Sequence, residues 1–478
     1  MSTAEVLDVR TGPQLSDILS RQRQAFLREG APLLAERRAD IVKLRDAVKN
    51  EAEEIASAIS ADFGNRSRHE TLLADVWPVI ASARHTLHHL RSWMKPKSVA
   101  VGLELLPARA RILYQPLGVV GVISPWNYPF QLAIMPLMAA LAAGNRVMLK
   151  PSELTPRTSE FLASFLGKLY PADKVATVLG GPETGAAFAA LPFDHLLYTG
   201  STAVGRRVML AAAENLTPVT LELGGKSPCI VGEDAALPAA AESIASGKLL
   251  NAGQTCIAPD YVLVPEARRE EFLNLLQAAV KKLYPSLRTN PDYTSIVNGR
   301  HYGRIVRYIE EARQRGVRVI AINPANEPLP ADERKIAPTF LIDPPDDAAV
   351  MRDEIFGPVL PIKSYGSLDE AIDYVNSHPR PLALYYFGAG RESRDKVLNR
   401  TASGGASVNE TLMHIVVENL PFGGIGPSGM GAYHGEYGFQ TFSHRKGVFL
   451  QSPLNGAGLL RPPFGRVAGK MLKFMLGR

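Results

Sequence analysis

The sequence predicts an α/β protein built on parallel sheets, and three observations carry that expectation. Short β-rich runs alternate with helical stretches from residue 111 onward, and a second series of the same kind begins near residue 227. The chain is 478 residues long, enough for two or three separate cores. A composition of 46% hydrophobic and 21% charged residues, with 40 Gly and 36 Pro as punctuation, is that of an ordinary globular protein and excludes a fibrous or disordered class.

From residue 14 to 94 apolar residues recur at three- and four-residue spacing, through ILSRQRQAFL and ADIVKLRDAVKNEAEEIASAI, so this stretch reads as helices. Within it His85, His88 and His89 have a spacing that allows metal ligation on one helix face, against packing at a surface or interface as the plainer reading. Candidate strands follow at 119–124, 145–150, 174–179, 195–200 and 218–223, with helices around 130–143, 155–169, 183–190 and 202–213. That alternation implies βαβ units in an open twisted sheet, whose ligands bind at the carboxyl ends of the strands. Lys150, Gly200 and Glu222 fall at or beside such ends. The second series has SPCIV, YVLVP, VRVIA and ASVNE as strands and helices near 235–249, 266–283, 303–315 and 368–377. The final segment is rich in Gly and Pro, its run GPSGMG reads as loop, and no long-period repeat occurs.

The net charge of +6 belongs to one end of the chain. Beyond Glu436 there is no acid but there are seven bases, from Arg445 to Arg478, which leaves the body near neutral and in no need of a nucleic-acid partner. Bases and apolar residues in GRVAGKMLKFMLGR leave two expectations open: a disordered or subunit-packed tail, or weak peripheral contact with an anionic membrane surface. The amino terminus has no apolar run behind a basic region, and no stretch is long enough for a transmembrane segment. With only Cys229 and Cys256, a disulfide framework is excluded and a reducing, cytoplasmic setting is expected.

Cys256, in NAGQTCIAP, sits among small and polar residues and is expected to be accessible, whereas Cys229, in KSPCIV, is expected in the core. Glu222 ends the apolar run of TLELGGKSP. A carboxylate in such a setting has its pKa pushed upward, which suits a general base, although a strand-end capping role fits the same position. Gly225, Lys226 and Ser227 give the ending of a phosphate-binding loop, but Thr220 occupies the position of its first glycine and Glu222 would repel phosphate. Asn127, in ISPWNYPF, is placed either to donate to a developing oxyanion or simply to make a turn. Lys150, in MLKPSE, is placed to reach a ribose or phosphate, or else is solvated at a strand end. Gly200 and Gly205, in YTGSTAVG, follow a strand and open a helix whose N–H groups could face a pyrophosphate.

Together ISPWNYPF, LKPSE, YTGSTAVG, LELGGKSP, GQTCIAP, EIFGPV and PFGGIGPSG resemble, in order and spacing, the aldehyde dehydrogenase superfamily over nearly the whole chain. The resemblance implies an aldehyde dehydrogenase-like fold with two parallel-sheet, Rossmann-like domains and a small β oligomerisation flap. It implies a nucleotide-binding domain over 1–95 and 119–223, a catalytic domain over 224–427, a flap from 96–118 and 428–450, and a basic tail over 451–478. It further implies Cys256 as nucleophile, Glu222 as general base, and Asn127 as the side-chain donor beside the Cys256 N–H. Lys150 and Glu354 would hold the riboses, with Glu354 on the nicotinamide side; Ser201 would contact the pyrophosphate, Glu153 the adenine ribose, and Phe356 the nicotinamide. Ser124, Trp126, Ser152, Gly200 and Gly205 would complete the cofactor site. The implied cofactor is NAD, because Glu153 would repel a 2′-phosphate, with NADP accepted more weakly.

The implied reaction is thiolate attack on an aldehyde, hydride transfer, and hydrolysis of the resulting thioester by water activated at Glu222. The short amino terminus and EYGFQTFSHRKGVFLQSP resemble the class 3 branch, which implies a homodimer, and LPARARILYQPLGVVGVISPWNYPF and GMGAYHGEYGFQTFSHRKGVF are most similar to bacterial coniferyl aldehyde dehydrogenases. Medium-chain or fatty aldehydes are the alternative substrates. A CoA-acylating enzyme, which usually lacks the carboxylate at Glu222, and a non-catalytic binding protein are the competing functions.

Overall fold

A computed structural model of the chain describes residues 12–477. The expectations for the first eleven residues and for Arg478 lie outside the described residues. The helical entry segment forms as expected, chiefly as Gly12–Glu29, Leu34–Asn50, Ala52–Phe63 and Trp77–Trp93. One turn of it, Leu72–Val76, is a π-helix, a geometry that often marks a functional site and that periodicity does not show.

A six-stranded sheet runs in the order Gly429–Met430, Val219–Glu222, His195–Thr199, Val119–Ile123, Arg146–Lys150, Val175–Thr177. All but the first are parallel. GPSGMG is therefore not wholly loop: Gly429 and Met430 pair antiparallel with Glu222 and Leu221. The chain enters at Val119–Ile123, builds outward on one side, and returns to the other side with His195–Thr199. That reversal opens a crevice at the carboxyl ends of these two strands. Both faces of the sheet are covered, as continuous apolar strands require. Val120, Val122 and Leu149 pack towards Phe130, Leu162 and Phe165, while Val119, Met148 and Leu196 pack towards Leu15, Ile18 and Phe188.

After Glu222 the chain passes directly into a seven-stranded sheet of order Arg318–Ala321, Thr339–Ile342, Val359–Tyr365, Tyr261–Pro265, Pro228–Val231, Ala383–Phe387, Gly405–Val408. Only Arg318–Ala321 is antiparallel, at one edge. Thr339–Ile342, Val359–Tyr365 and Ala383–Phe387 are strands beyond those expected. Pro361 demotes the second on sequence alone, yet burial on both sides of the sheet outweighs the ladder bond that proline cannot make.

Lys97–Val99, Arg109–Pro116 and Ser443–Leu450 form a small antiparallel sheet that stands largely exposed, with Val99, Phe449 and Leu450 in solvent. The basic tail is helical over Arg466–Met475, and Val467, Leu472 and Phe474 on it are exposed. Among the described residues no helix is long and apolar enough to cross a membrane. The His89 ring meets His85 at a tilt and His88 edge-on, and His85 and His89 also pack against Trp93.

Candidate active site

The carboxyl ends of the first sheet supply one wall of a cleft. Glu222 is the last residue of its strand, and Asn127 lies four residues beyond Ile123. The opposite wall comes from the amino-terminal side of the second sheet, where Cys256 precedes Tyr261–Pro265 and Glu354 and Phe356 precede Val359–Tyr365. Cys256, Glu222, Tyr128 and Thr255 line one apolar cavity of about 350 Å³, large enough for a small organic substrate. Cys229 is fully buried in the strand Pro228–Val231, and neither cysteine is bridged.

The turn before Cys256 is strained and tightly pinned. Asn251, Ala252 and Gly253 have φ of 53°, 51° and 77°. Gly253 is required there, since a Cβ would lie 2.4 Å from the Gly357 carbonyl. Gln254 donates through Nε2 to the carbonyls of Asn251 (2.9 Å) and Ser295 (3.2 Å), and its Oε1 accepts from the Val297 N–H at 3.0 Å. Asn127 is buried, and its Nδ2 donates to the Gln254 carbonyl at 3.2 Å, which sets its amide against the Cys256 turn. The Asn127 carbonyl accepts from Arg66 Nη1 (2.6 Å) and Asn251 Nδ2 (3.0 Å).

Burial, reinforced by the nearby carboxylates of Glu354 and Glu222, pushes the Cys256 thiol up to about 12, while the N–H groups of Cys256 and Ile257 favour the thiolate. Burial also raises Glu222 well above the carboxylate range; the residue is 3% exposed and neither of its oxygens has a hydrogen-bond partner. Burial thus disfavours the charged form of both groups, and a proton can pass from the thiol to Glu222 only while Glu222 is ionised.

The cofactor candidates gather around the crevice. Lys150 is buried and paired with Glu153 Oε2 at 2.9 Å, which corrects the reading of Lys150 as a solvated strand end. The Ser152 hydroxyl accepts from the Leu154 N–H, and Ser201 caps the helix Thr202–Ala213 by accepting from the Val204 N–H at 3.4 Å. Gly200 N–H donates to the Glu222 carbonyl at 3.0 Å, tying two strand ends together. At Gly205 a Cβ would come 2.6 Å from Leu223, so the glycine lets helix and strand approach. Trp126 packs edge-on against Phe356 at 5.4 Å. Glu354 lies over Gly224, where a Cβ would meet both carboxylate oxygens at 2.3 Å, and burial pushes its pKa up to about 8. The Ser124 hydroxyl and Glu354 Oε1 are buried with no partner in the protein, as groups that fit a polar dinucleotide would be.

Several residues at the site carry no local motif. Arg66 and Asp75 form a fully buried ion pair at 2.9 Å, and Asp75 also accepts from the Gln131 N–H at 3.1 Å. Lys248 is buried with no hydrogen-bond partner, and burial lowers its pKa to about 8. Glu418 and Tyr433, both on the cavity wall, complete the set.

Comparison with known proteins places this geometry among relatives. The profile described as "Aldehyde dehydrogenase family" matches residues 11–448. A coniferyl aldehyde dehydrogenase of Pseudomonas sp. is 50% identical over 468 residues, covering 97% of this chain and 96% of its own. The substrate-bound AldH of Staphylococcus aureus superposes with a TM-score of 0.92 at 37% identity, over 97% of this chain and 99% of that one. An indole-3-acetaldehyde dehydrogenase of P. syringae, in complex with NAD+, superposes with a TM-score of 0.85 at 26% identity, over 92% and 89% of the two chains.

Proposed function

The chain belongs to the aldehyde dehydrogenase family, and from that premise we propose that it oxidises an aromatic aldehyde of the coniferyl type to the carboxylic acid, with NAD as cofactor and Cys256 as nucleophile. The observation that carries the reading is the meeting of Cys256 and Glu222, from different sheets, in one apolar cavity. Glu222, in its carboxylate form, takes the thiol proton as Cys256 attacks the carbonyl. The amide of Asn127 and the Cys256 N–H then hold the oxygen that becomes negative. The bound dinucleotide supplies the acceptor for hydride. Once Glu222 has given that proton up to solvent, it draws a proton from water, which attacks the thioester; the C–S bond breaks, Cys256 leaves as thiolate and the acid is released.

Lys150, Ser152, Glu153, Gly200, Ser201 and Gly205 would hold the adenine and pyrophosphate end, and Ser124, Trp126, Glu354 and Phe356 the nicotinamide end. Residues 1–95 and 119–223 are read as the nucleotide-binding domain and 224–427 as the catalytic domain, with 451–478 a basic tail. Glu153, already engaged by Lys150, supports NAD over NADP. Two unpaired cysteines support a reducing, cytoplasmic setting.

The exposed three-stranded sheet supports a homodimer joined through it, and the basic, apolar tail helix supports weak contact with anionic membrane surfaces. Sedimentation with and without anionic vesicles tests both; a one-chain mass overturns the first, and failure to bind vesicles the second. The substrate reading is tested by kcat/KM for coniferaldehyde, benzaldehyde and straight-chain aldehydes with NAD and with NADP. Coniferaldehyde with NAD is expected to lead. Preference for straight chains overturns the substrate, preference for NADP the cofactor, and strict dependence on CoA the hydrolytic mechanism.

A further inference from the structure

The cavity holds a polar pair that the chemistry at Cys256 does not use. Most of its wall is apolar, with Trp77, Leu132, Met135, Ile257 and Phe422 among the lining residues. Other polar groups on the wall are already engaged: the Tyr128 and Thr255 hydroxyls bond each other at 2.6 Å, and Gln131 Nε2 donates to the Met135 sulfur at 3.2 Å. Glu418 and Tyr433 are among those that remain, beside Thr199.

Glu418 is half-buried, and its Oε2 accepts from the Ser82 hydroxyl at 3.0 Å. Ser82 is itself buried on the helix Trp77–Trp93, whose residues Pro78 and Ala81 line the same cavity. Glu418 therefore belongs to the wall built by that helix, beside the exposed rim of Trp77, Met413 and Val416, and not to the Cys256 turn. Tyr433 is 2% exposed, its hydroxyl has no partner, and it lines the same cavity as Cys256, Glu222 and Glu418.

A carboxylate on an apolar wall is costly unless donors reach it, and Ser82 satisfies only part of its accepting capacity. Burial accordingly lifts Glu418 to about 7, against the opposing pull of the Ser82 hydroxyl and the Gly435 N–H. A straight-chain aldehyde brings no donor and would leave this group facing hydrocarbon. A phenolic aldehyde brings one at the end remote from its carbonyl.

We propose that Glu418, held by Ser82, is a specificity-determining residue that accepts a hydrogen bond from a hydroxyl at the far end of an aromatic aldehyde whose carbonyl lies at Cys256. This rests on the aromatic-aldehyde reading above and adds the group that selects within that class. A hydrogen bond from a phenol to a carboxylate is charge-assisted, and a site built for it disfavours the analogue that lacks the hydroxyl, because the accepting capacity that Ser82 does not fill is then left facing hydrocarbon.

The test compares 4-hydroxycinnamaldehyde with cinnamaldehyde, which differ by that hydroxyl alone, in the full-length enzyme with NAD. The parent enzyme is expected to favour the hydroxylated substrate by about tenfold or more in kcat/KM, mostly through KM. In Glu418→Leu the ratio should collapse to within about threefold, while Glu418→Gln, whose amide oxygen still accepts, should keep part of it. A ratio near one in the parent, or a Leu variant that keeps the full ratio, overturns the proposal. If Glu418→Leu does not fold, the parent ratio and a Gln variant retaining part of it still decide. An enzyme that turns over both cinnamaldehydes alike loses only the role of Glu418, whereas one that refuses both and accepts straight-chain aldehydes overturns the aromatic reading as well.

Discussion

Asn127 is held from two sides, its amide on the Gln254 carbonyl and its own carbonyl under Arg66 and Asn251. The side chain is thus fixed before a substrate arrives, as a donor aimed at developing charge must be. Replacing Asn127 with Ala should lower kcat by about 10²–10³, or roughly 2.7–4 kcal/mol of barrier, with a smaller change in KM. A steady-state loss under about fivefold would leave Asn127 only its turn. At this scale Cys256, Glu222 and Asn127 are legible because each stands in a short local pattern whose chemistry can be argued from its neighbours. Arg66 and Glu418 are not: Arg66 meets Asn127 across 61 residues, and Ser82 meets Glu418 across 336. No local spacing encodes such pairs. Lys150 is the opposite case, since the partner that its solvated reading overlooked stands only three residues on.

The element that aims Cys256 is a turn in left-handed conformation, and conformations of that kind persist only where the surroundings over-determine them. The surroundings here include the Arg66–Asp75 pair, which is stacked over Tyr128 at 4.7 Å and anchors the backbone of Asn127. Arg66→Ala leaves the buried Asp75 without its counter-ion, with the Gln131 N–H still donating to it. Urea unfolding should show a loss of about 3–5 kcal/mol, and a loss below about 1 kcal/mol would contradict the structural role given to the pair. Helices and strands with a clean apolar period were readable, so the five parallel strands of the first sheet and the helices between them fall within a residue or two of expectation. The helix Arg391–Arg400 escaped because only Val397 is buried along it, which leaves no period to read. Val359–Tyr365 escaped through Pro361.

At the scale of the whole molecule, two sheets joined by the short link after Glu222 bring a base and a nucleophile to one cavity. The alternation of strands and helices announces both sheets, and the switch in strand order explains why the site lies between them. The pairing of Gly429 with Glu222, which draws the carboxyl-terminal segment and Tyr433 into the site, could not be read from a run that looked like loop. This division of labour between sheets makes the two halves of the reaction separable, and Glu222→Gln in a rapid-mixing experiment separates them. The Cys256 thiol remains, so a burst of NADH should appear, slowed where Glu222 takes the thiol proton, followed by a steady state far below the parental rate. Mass spectrometry of the stalled enzyme should find the acyl group on the peptide containing Cys256. Steady turnover near the parental rate would contradict Glu222 as base, and an acyl group on Cys229 would contradict Cys256 as nucleophile.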